Sequence, residues 1–478
     1  MRQPPKHTTT AGASRLARRR RRVPPAAHAL RFCLRGLSAT AVGLALSGAA
    51  AQAQILQQYL PDVLTGIGGG AAPIAPDVTA DTRGAAETAP GTTVTTRPHP
   101  EYDTPGVHVG DFYIRPDLTE SIGYNNNLFG DNSGRGAFGI ETRPSVSVSS
   151  NWARNSISAT IAADNVIYPS QSNQGFTNWF ANLGGSYDIG RDQLQVQYTH
   201  ASLHLTHVGI DSGNFNAPIP FQVDSVHLGY LIPLARLSFE PNLTLQNYRF
   251  QNGSFTNALG ITVPVNETQN NRNVLEGGVT TRYELSPLRD LVLVVLGATQ
   301  HFYDTPPGTP TQDSTSFEVL TGIDFNVNAV FRVRALVGYE QRNFTASVFQ
   351  TRTAPVLDGE VIWTPTQVTT VTGSATRSIE DAISTTTNGF TYTDAKLRVD
   401  HEYRRNILLG AYAEVQAADY SANQGTQQIY GGGFSATWRL NRNMSLIGSY
   451  TYAYQNASQG LVRSYSQSIA LLSLGLHL

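Results

Sequence analysis

Three histidines, His200, His204 and His207, are the first residues whose type and spacing could do chemistry. On a helix, residues four apart are neighbours and could share a metal ion. The surrounding stretch alternates as a strand does, and there His200 and His204 stand ~13 Å apart at ~3.3 Å per residue. Zinc takes its ligands at ~2 Å, so separate interfacial or interior-lining histidines are favoured over a metal site. The run Gly209-Ile210-Asp211-Ser212-Gly213 lacks the Gly-x-Ser-x-Gly order of a nucleophile elbow. It sits among turn-forming residues, and a plain turn is the better reading. The glycines 431–433 fall within a strand, where they read as close packing or curvature and not as a phosphate loop. No Walker loop, dinucleotide fingerprint or paired-cysteine zinc pattern occurs. The sequence therefore points to no cofactor, no metal and no enzyme.

What remains is electrostatic. In 331–344, Arg332, Arg334, Glu340 and Arg342 share one parity, while Phe331, Val333, Ala335, Val337 and Tyr339 share the other. In 389–402, Lys396, Arg398, Asp400 and Glu402 lie together, opposite Leu397 and Val399. Successive strand residues point to opposite faces, so each stretch has one charged and one apolar face. An Arg or Lys facing lipid near the midplane costs roughly 2–4 kcal/mol, so these charges belong in a wet lumen. The expected lumen-lining set is Glu318, Asp324, Arg332, Arg334, Glu340, Arg342, Lys396, Arg398, Asp400 and Glu402. Asp324 is expected opposite Arg332 or Arg334 across a turn near residues 328–329.

The elements that position these charges are eighteen strand-like stretches. They fall near 112–124, 138–150, 156–168, 176–188, 193–205, 221–232, 236–250, 273–285, 291–303, 314–327, 331–344, 353–364, 367–379, 389–402, 406–420, 429–440, 444–456 and 461–478. The last carries Ala470, Leu472, Leu474, Leu476 and Leu478 on one parity. Stretch 291–303 gives no face, because residues 291–296 are apolar on both parities. Connections after odd-numbered strands are long and rich in Asn, Gly, Ser, Pro and Thr; those after even-numbered strands are short. A soluble sandwich has no reason to keep all long loops on one side, whereas a transmembrane barrel does. The fold class expected is all-β, a transmembrane antiparallel β-barrel of about 18 strands. Trp152, Trp363 and Trp438 near short turns and Trp179 near a long-loop end suit interfacial aromatic belts.

Composition agrees. Of 478 residues only 14% are charged, against roughly 25% in soluble proteins. A mean hydropathy of −0.22 excludes a polytopic helical membrane protein and suits strands that are half polar. A net charge of −1 selects no nucleic acid. Residues 1–53 read as a cleaved export signal: the arginine run 18–22, an apolar stretch 37–50, and Ala51-Gln52-Ala53 as the cleavage pattern. The single Cys33 would leave with it, so no intramolecular disulfide forms. Residues 54–110, rich in Ala, Pro, Thr and Gly, read as a flexible periplasmic segment, with a plug folding back into the lumen as the sharper alternative. Residues 111–478 form the barrel, and an even strand count puts both termini in the periplasm.

Three stretches carry a family resemblance: Arg97-Pro98-His99-Pro100-Glu101-Tyr102-Asp103 with Gly106-Val107-His108-Val109-Gly110-Asp111-Phe112; Tyr124-Asn125-Asn126-Asn127-Leu128-Phe129; and Asn151-Trp152-Ala153-Arg154-Asn155. Over 97–205 the chain resembles the "putative β-barrel porin" family, type 2, of Gram-negative bacteria. The resemblance implies a barrel in the cell outer membrane, among lipid and lipopolysaccharide, inserted by the barrel-assembly machinery. The family's transported substrate is generally unestablished and sometimes associated with exopolysaccharide production; exopolysaccharide or small solutes are the partners expected here. Many such barrels end in an aromatic residue; this chain ends His477-Leu478. The function expected is passive solute passage or assistance of exopolysaccharide export. The alternatives are a structural or adhesive barrel with a blocked lumen, or a lipid-acting enzyme with a Ser/His/acid set near a rim.

Overall fold

The computed structural model describes residues 92–478 apart from 214, 258, 329, 383–388, 421–424 and 459–463. The expected export signal and residues 54–91 lie outside the described residues.

Alternating β-branched or aromatic and polar residues favour a half-buried pleated surface, and they form eighteen long strands: β1 (Phe112–Asn125), β2 (Ala137–Ser150), β3 (Ser156–Ile167), β4 (Phe176–Ile189), β5 (Asp192–Leu205), β6 (Ile219–Pro233), β7 (Leu237–Phe250), β8 (Arg272–Ser286), β9 (Arg289–Phe302), β10 (Ser314–Asn328), β11 (Phe331–Phe344), β12 (Arg352–Thr366), β13 (Thr369–Glu380), β14 (Phe390–Arg404), β15 (Ile407–Asp419), β16 (Thr426–Asn441), β17 (Met444–Ala457) and β18 (Tyr465–His477). Each pairs with its neighbour in sequence, antiparallel. β1 pairs with both β2 and β18, which closes the sheet into a barrel. Closure removes the open edges that would otherwise template aggregation. A short strand, Val107–Val109, pairs with the start of β1 where β18 has ended. The long connection 251–271 carries its own hairpin, Gly253–Thr256 against Thr262–Val265.

The faces follow the sequence parity. On β18, Leu472, Leu474 and Leu476 are exposed while Leu471 and Ser473 are buried. On β11, Val337 and Tyr339 are 57% and 52% exposed, while Leu336, Glu340 and Arg342 are buried. The exterior is thus an apolar surface, and all four tryptophans lie exposed on the protein. A hydrocarbon solvent suits such a band.

β9 yields no parity from sequence because both its faces are apolar for different reasons. Leu291 and Leu293 point outward and are exposed. Val292, Val294 and Leu296 point inward and pack with Leu320 of β10, Leu336 of β11 and Val356 of β12. Beside this cluster, a Cβ at Gly322 would collide with the Ala335 carbonyl, and one at Gly338 with the Val319 carbonyl. Glycine at both positions lets β10 and β11 curve together tightly.

Candidate functional site

All ten of the expected charged residues stand on strand parities opposite the exposed apolar ones, and most find ion-pair partners. Arg334 faces Asp324 in the β10–β11 ladder, yet its guanidinium donates to Asp358 of β12 at 2.7 Å. Asp324 lies instead 3.6 Å from Arg332 and 3.5 Å from Arg282 of β8, two strands away. Lys396 lies 3.5 Å from Glu414, and Arg398 is 2.7 Å from Asp400. Glu318 and Glu340 face each other in register. Apart from that facing pair of carboxylates, the charges of the wall lie beside opposite ones, whose attraction offsets part of the penalty of taking them off bulk water.

At the long-loop end the wall changes. The β12–β13 ladder stops at Leu357–Arg377, while β13–β14 pairing continues to Glu380–Phe390. Beyond that point Ser378, Ile379 and Glu380 are all buried, as are Phe390, Thr391 and Tyr392. A wall strand exposes one parity; burial on both means these six residues lie inside the barrel. Ile379 then lacks a β12 partner, and two side chains of β11 replace it. Its N–H donates to Glu340 Oε2 at 3.0 Å, and its carbonyl accepts from Arg342 Nη2 at 2.8 Å. Arg352, where β12 pairs with β11 alone, donates to the Gly389 carbonyl at 3.1 Å, to Thr391 Oγ1, and to the Asp419 carbonyl. Gly389 has φ +107°, a conformation that glycine adopts without strain.

Residues 209–211, in the connection after β5, also turn inward, unlike the outward surface loop that its composition favours. Gln427 of β16 donates to the Gly209 carbonyl at 2.9 Å and accepts the Asp211 N–H at 3.0 Å. The Gly209 N–H donates to the Tyr465 hydroxyl at 3.2 Å, and Tyr420 O–H donates to Asp211 at 3.1 Å. Ile210 packs among Ala382, Phe390, Tyr392, Ala418, Tyr420 and Ile429. The two inward segments therefore meet at the long-loop mouth. Glu267, in the neighbouring connection, is pushed up to about 7 by burial, with Asp211 adding and the Asn270 hydrogen bond opposing.

The histidines do not converge. His200 lies 2.7 Å from Asp224, His204 2.9 Å from Asn178, and His207 2.8 Å from Gln174. Burial holds His207 down to about 4, so its ring is neutral. Among the described residues no group of three or more His, Cys, Asp or Glu is placed to hold a metal ion. The Gly433 position admits no larger residue, since a Cβ there would lie 2.8 Å from the Tyr412 ring and the Tyr450 carbonyl.

At the short-turn end, residues 92–110 are packed on the barrel. The Val94 N–H donates to Thr370, Arg97 donates to the Gln367 carbonyl, and His99 Nε2 stands 3.1 Å from Glu402 Oε2. Arg97 is also 3.6 Å from Glu402. Packed chain therefore begins well before residue 111.

Sequence reasoning missed Arg272, Arg282, Asp358, Asp381 and Glu414. Arg272, Glu276 and Arg282 share one parity of β8, so a full parity count could have found the arginines; Asp381 lies past a strand end and has no such signal.

The sequence model of the family described as "Putative beta-barrel porin 2" matches residues 99–477. No curated protein matches the chain. Among solved structures, Acinetobacter baumannii OccAB3 is similar at TM-score 0.43 and 8% identity, over 77% of this chain and 100% of that one. Pseudomonas aeruginosa OccK1 (OpdK) is similar at 0.41 and 11%, over 76% and 99%. The ferric-catecholate import receptor Fiu of E. coli K12 is similar at 0.42 and 7%, over 76% and 81%.

Proposed function

The chain belongs to the family described as "Putative beta-barrel porin 2", and from that premise we propose that it is an outer-membrane channel for passive passage of small solutes. The observation that carries this reading is the closed eighteen-strand sheet with an apolar exterior and paired charges on the interior parity. Eighteen strands are enough to enclose an aqueous path. In this reading the long connections face outward, the short turns and both termini face the periplasm, and residues 1–53 are removed on export. Lipid and lipopolysaccharide surround the barrel, which the assembly machinery inserts.

Ile210 meets Ala382, Phe390 and Tyr392 inside the long-loop mouth, and a mouth occupied in this way favours small solutes over exopolysaccharide. Single-channel recording in planar bilayers tests the proposal: stepwise conductance with ion selectivity is expected. A folded barrel that never conducts would overturn it. Altered cell adhesion on loop deletion would then favour the adhesive barrel, and lipid turnover the enzyme.

A further inference from the structure

Asp381 lies where the chain leaves β13, and two guanidiniums of the wall hold it. Arg342 Nη1 is 2.7 Å from Oδ1, and Arg272 Nε is 3.4 Å from Oδ2. The three side chains are 6%, 5% and 9% exposed. Each arginine has a second anchor. Arg272 Nη1 donates to the Asn270 carbonyl at 3.1 Å, and its guanidinium lies over Tyr248 at 4.3 Å, with Phe302 and Phe250 beyond. Arg342 Nη2 donates to Glu340 and to the Ile379 carbonyl. The wall thus presents a cationic pair, of which Arg272 lies over an aromatic floor. Arg272 Nε, Arg342 Nε and Asp381 Oδ2 complete no hydrogen bond. The carboxylate between them follows the end of β13, whose residues 378–380 have no partner in the β12 ladder.

Guanidiniums recognise carboxylates by charge and by matched planar geometry. We infer that Arg272 and Arg342 form a binding site for the carboxylate of a small solute, that Asp381 occupies it as an internal substitute, and that exchange frees residues 379–382 at the end of β13. The solute's role rests on the channel reading above; the site itself does not. Exchange leaves the local charge unchanged, since one carboxylate departs as another arrives. Glu340, 3.3 Å from Arg342, already takes up part of its positive charge, which disfavours a second negative group on the solute. The rings around Arg272 favour an apolar tail. The class expected is a monocarboxylate with a short hydrocarbon chain.

The test uses the full chain in proteoliposomes, with Cys33→Ser and Ala382→Cys. Ala382 is buried at 3% exposure, so an impermeant maleimide should label it slowly. At matched ionic strength butyrate should speed labelling several-fold, succinate less, and neutral butyramide not at all. Asp381→Asn should label fast without ligand and lose the response to butyrate. Amide exchange across residues 379–382 in the unsubstituted chain provides the same readout without a core variant, and butyrate should raise it. Labelling and exchange indifferent to butyrate, or equally responsive to butyramide, would overturn the site. A barrel that conducts while both stay indifferent overturns the site and leaves the channel reading standing. A barrel that responds to butyrate but never conducts does the reverse.

Discussion

The amide of Ile379 on β13 and the Oε2 of Glu340 on β11 form a strand-type hydrogen bond of 3.0 Å in which one partner is a side chain. Leaving a buried donor without its acceptor costs about 1–3 kcal/mol. Glu340→Ala should therefore loosen the hairpin end and speed exchange of the Ile379 amide, while Glu340→Gln, which keeps an acceptor, should do so less. Equal exchange in both variants and the unsubstituted chain would show that the bond contributes nothing.

Replacing Arg332 and Arg334 with Gln removes two positive charges from the interior parity. Cross-strand charge pairs contribute ~0.2–1 kcal/mol each, so heat-modifiable gel migration should persist. The reversal potential in a salt gradient should move toward cation preference. An unmoved potential through an open channel would place these side chains off the solute path.

Glu267 provides a pH dependence. Its folded value, about 7, lies above the ordinary 4.5, so the folded loops favour its protonated form. That contribution is complete below about 4.5 and is lost as pH rises through about 7. Amide exchange in 206–218 should be faster at alkaline than at acidic pH after correction for the intrinsic rate. Glu267→Gln should flatten the difference, and a persisting difference would assign it to another group.

Single cysteines in a Cys33→Ser chain test orientation. Asn132, Asn257 and Thr309 lie in long connections, Arg191 and Arg442 in short turns. An impermeant thiol reagent should label the first three on intact cells and the last two only once the outer membrane is opened. The opposite pattern inverts the barrel.

Val337 is 57% exposed on the apolar exterior of β11. Val337→Arg should cost roughly 2–4 kcal/mol if that face meets hydrocarbon near the midplane. Urea titration of the refolded barrel in lipid vesicles measures it, and a neutral result would mean the face is wet.

How far the sequence alone reaches can be read from β11. The alternation Arg332, Arg334, Glu340, Arg342 against Val333, Val337, Tyr339 is a period-two pattern, and pleating turns it directly into two faces. Strand positions, closure by an even antiparallel meander and the asymmetry of loop length were legible for the same reason, since each depends on residues close in the chain. Partner choice was not. Arg334 sits beside Asp324 in register but reaches Asp358, because a long guanidinium selects among neighbours on both adjoining strands. The apolar inner face of β9 was illegible until Leu320, Leu336 and Val356 arrived from three other strands. The inward placement of residues 207–211 and 378–382 depends on contacts between Gly209 and Gln427 and between Ile379 and Glu340. A polar, glycine-rich loop reads the same in sequence whether it stays in water or crosses a barrel mouth. Only the closed sheet, by bringing distant strands within hydrogen-bond reach, decides which it does.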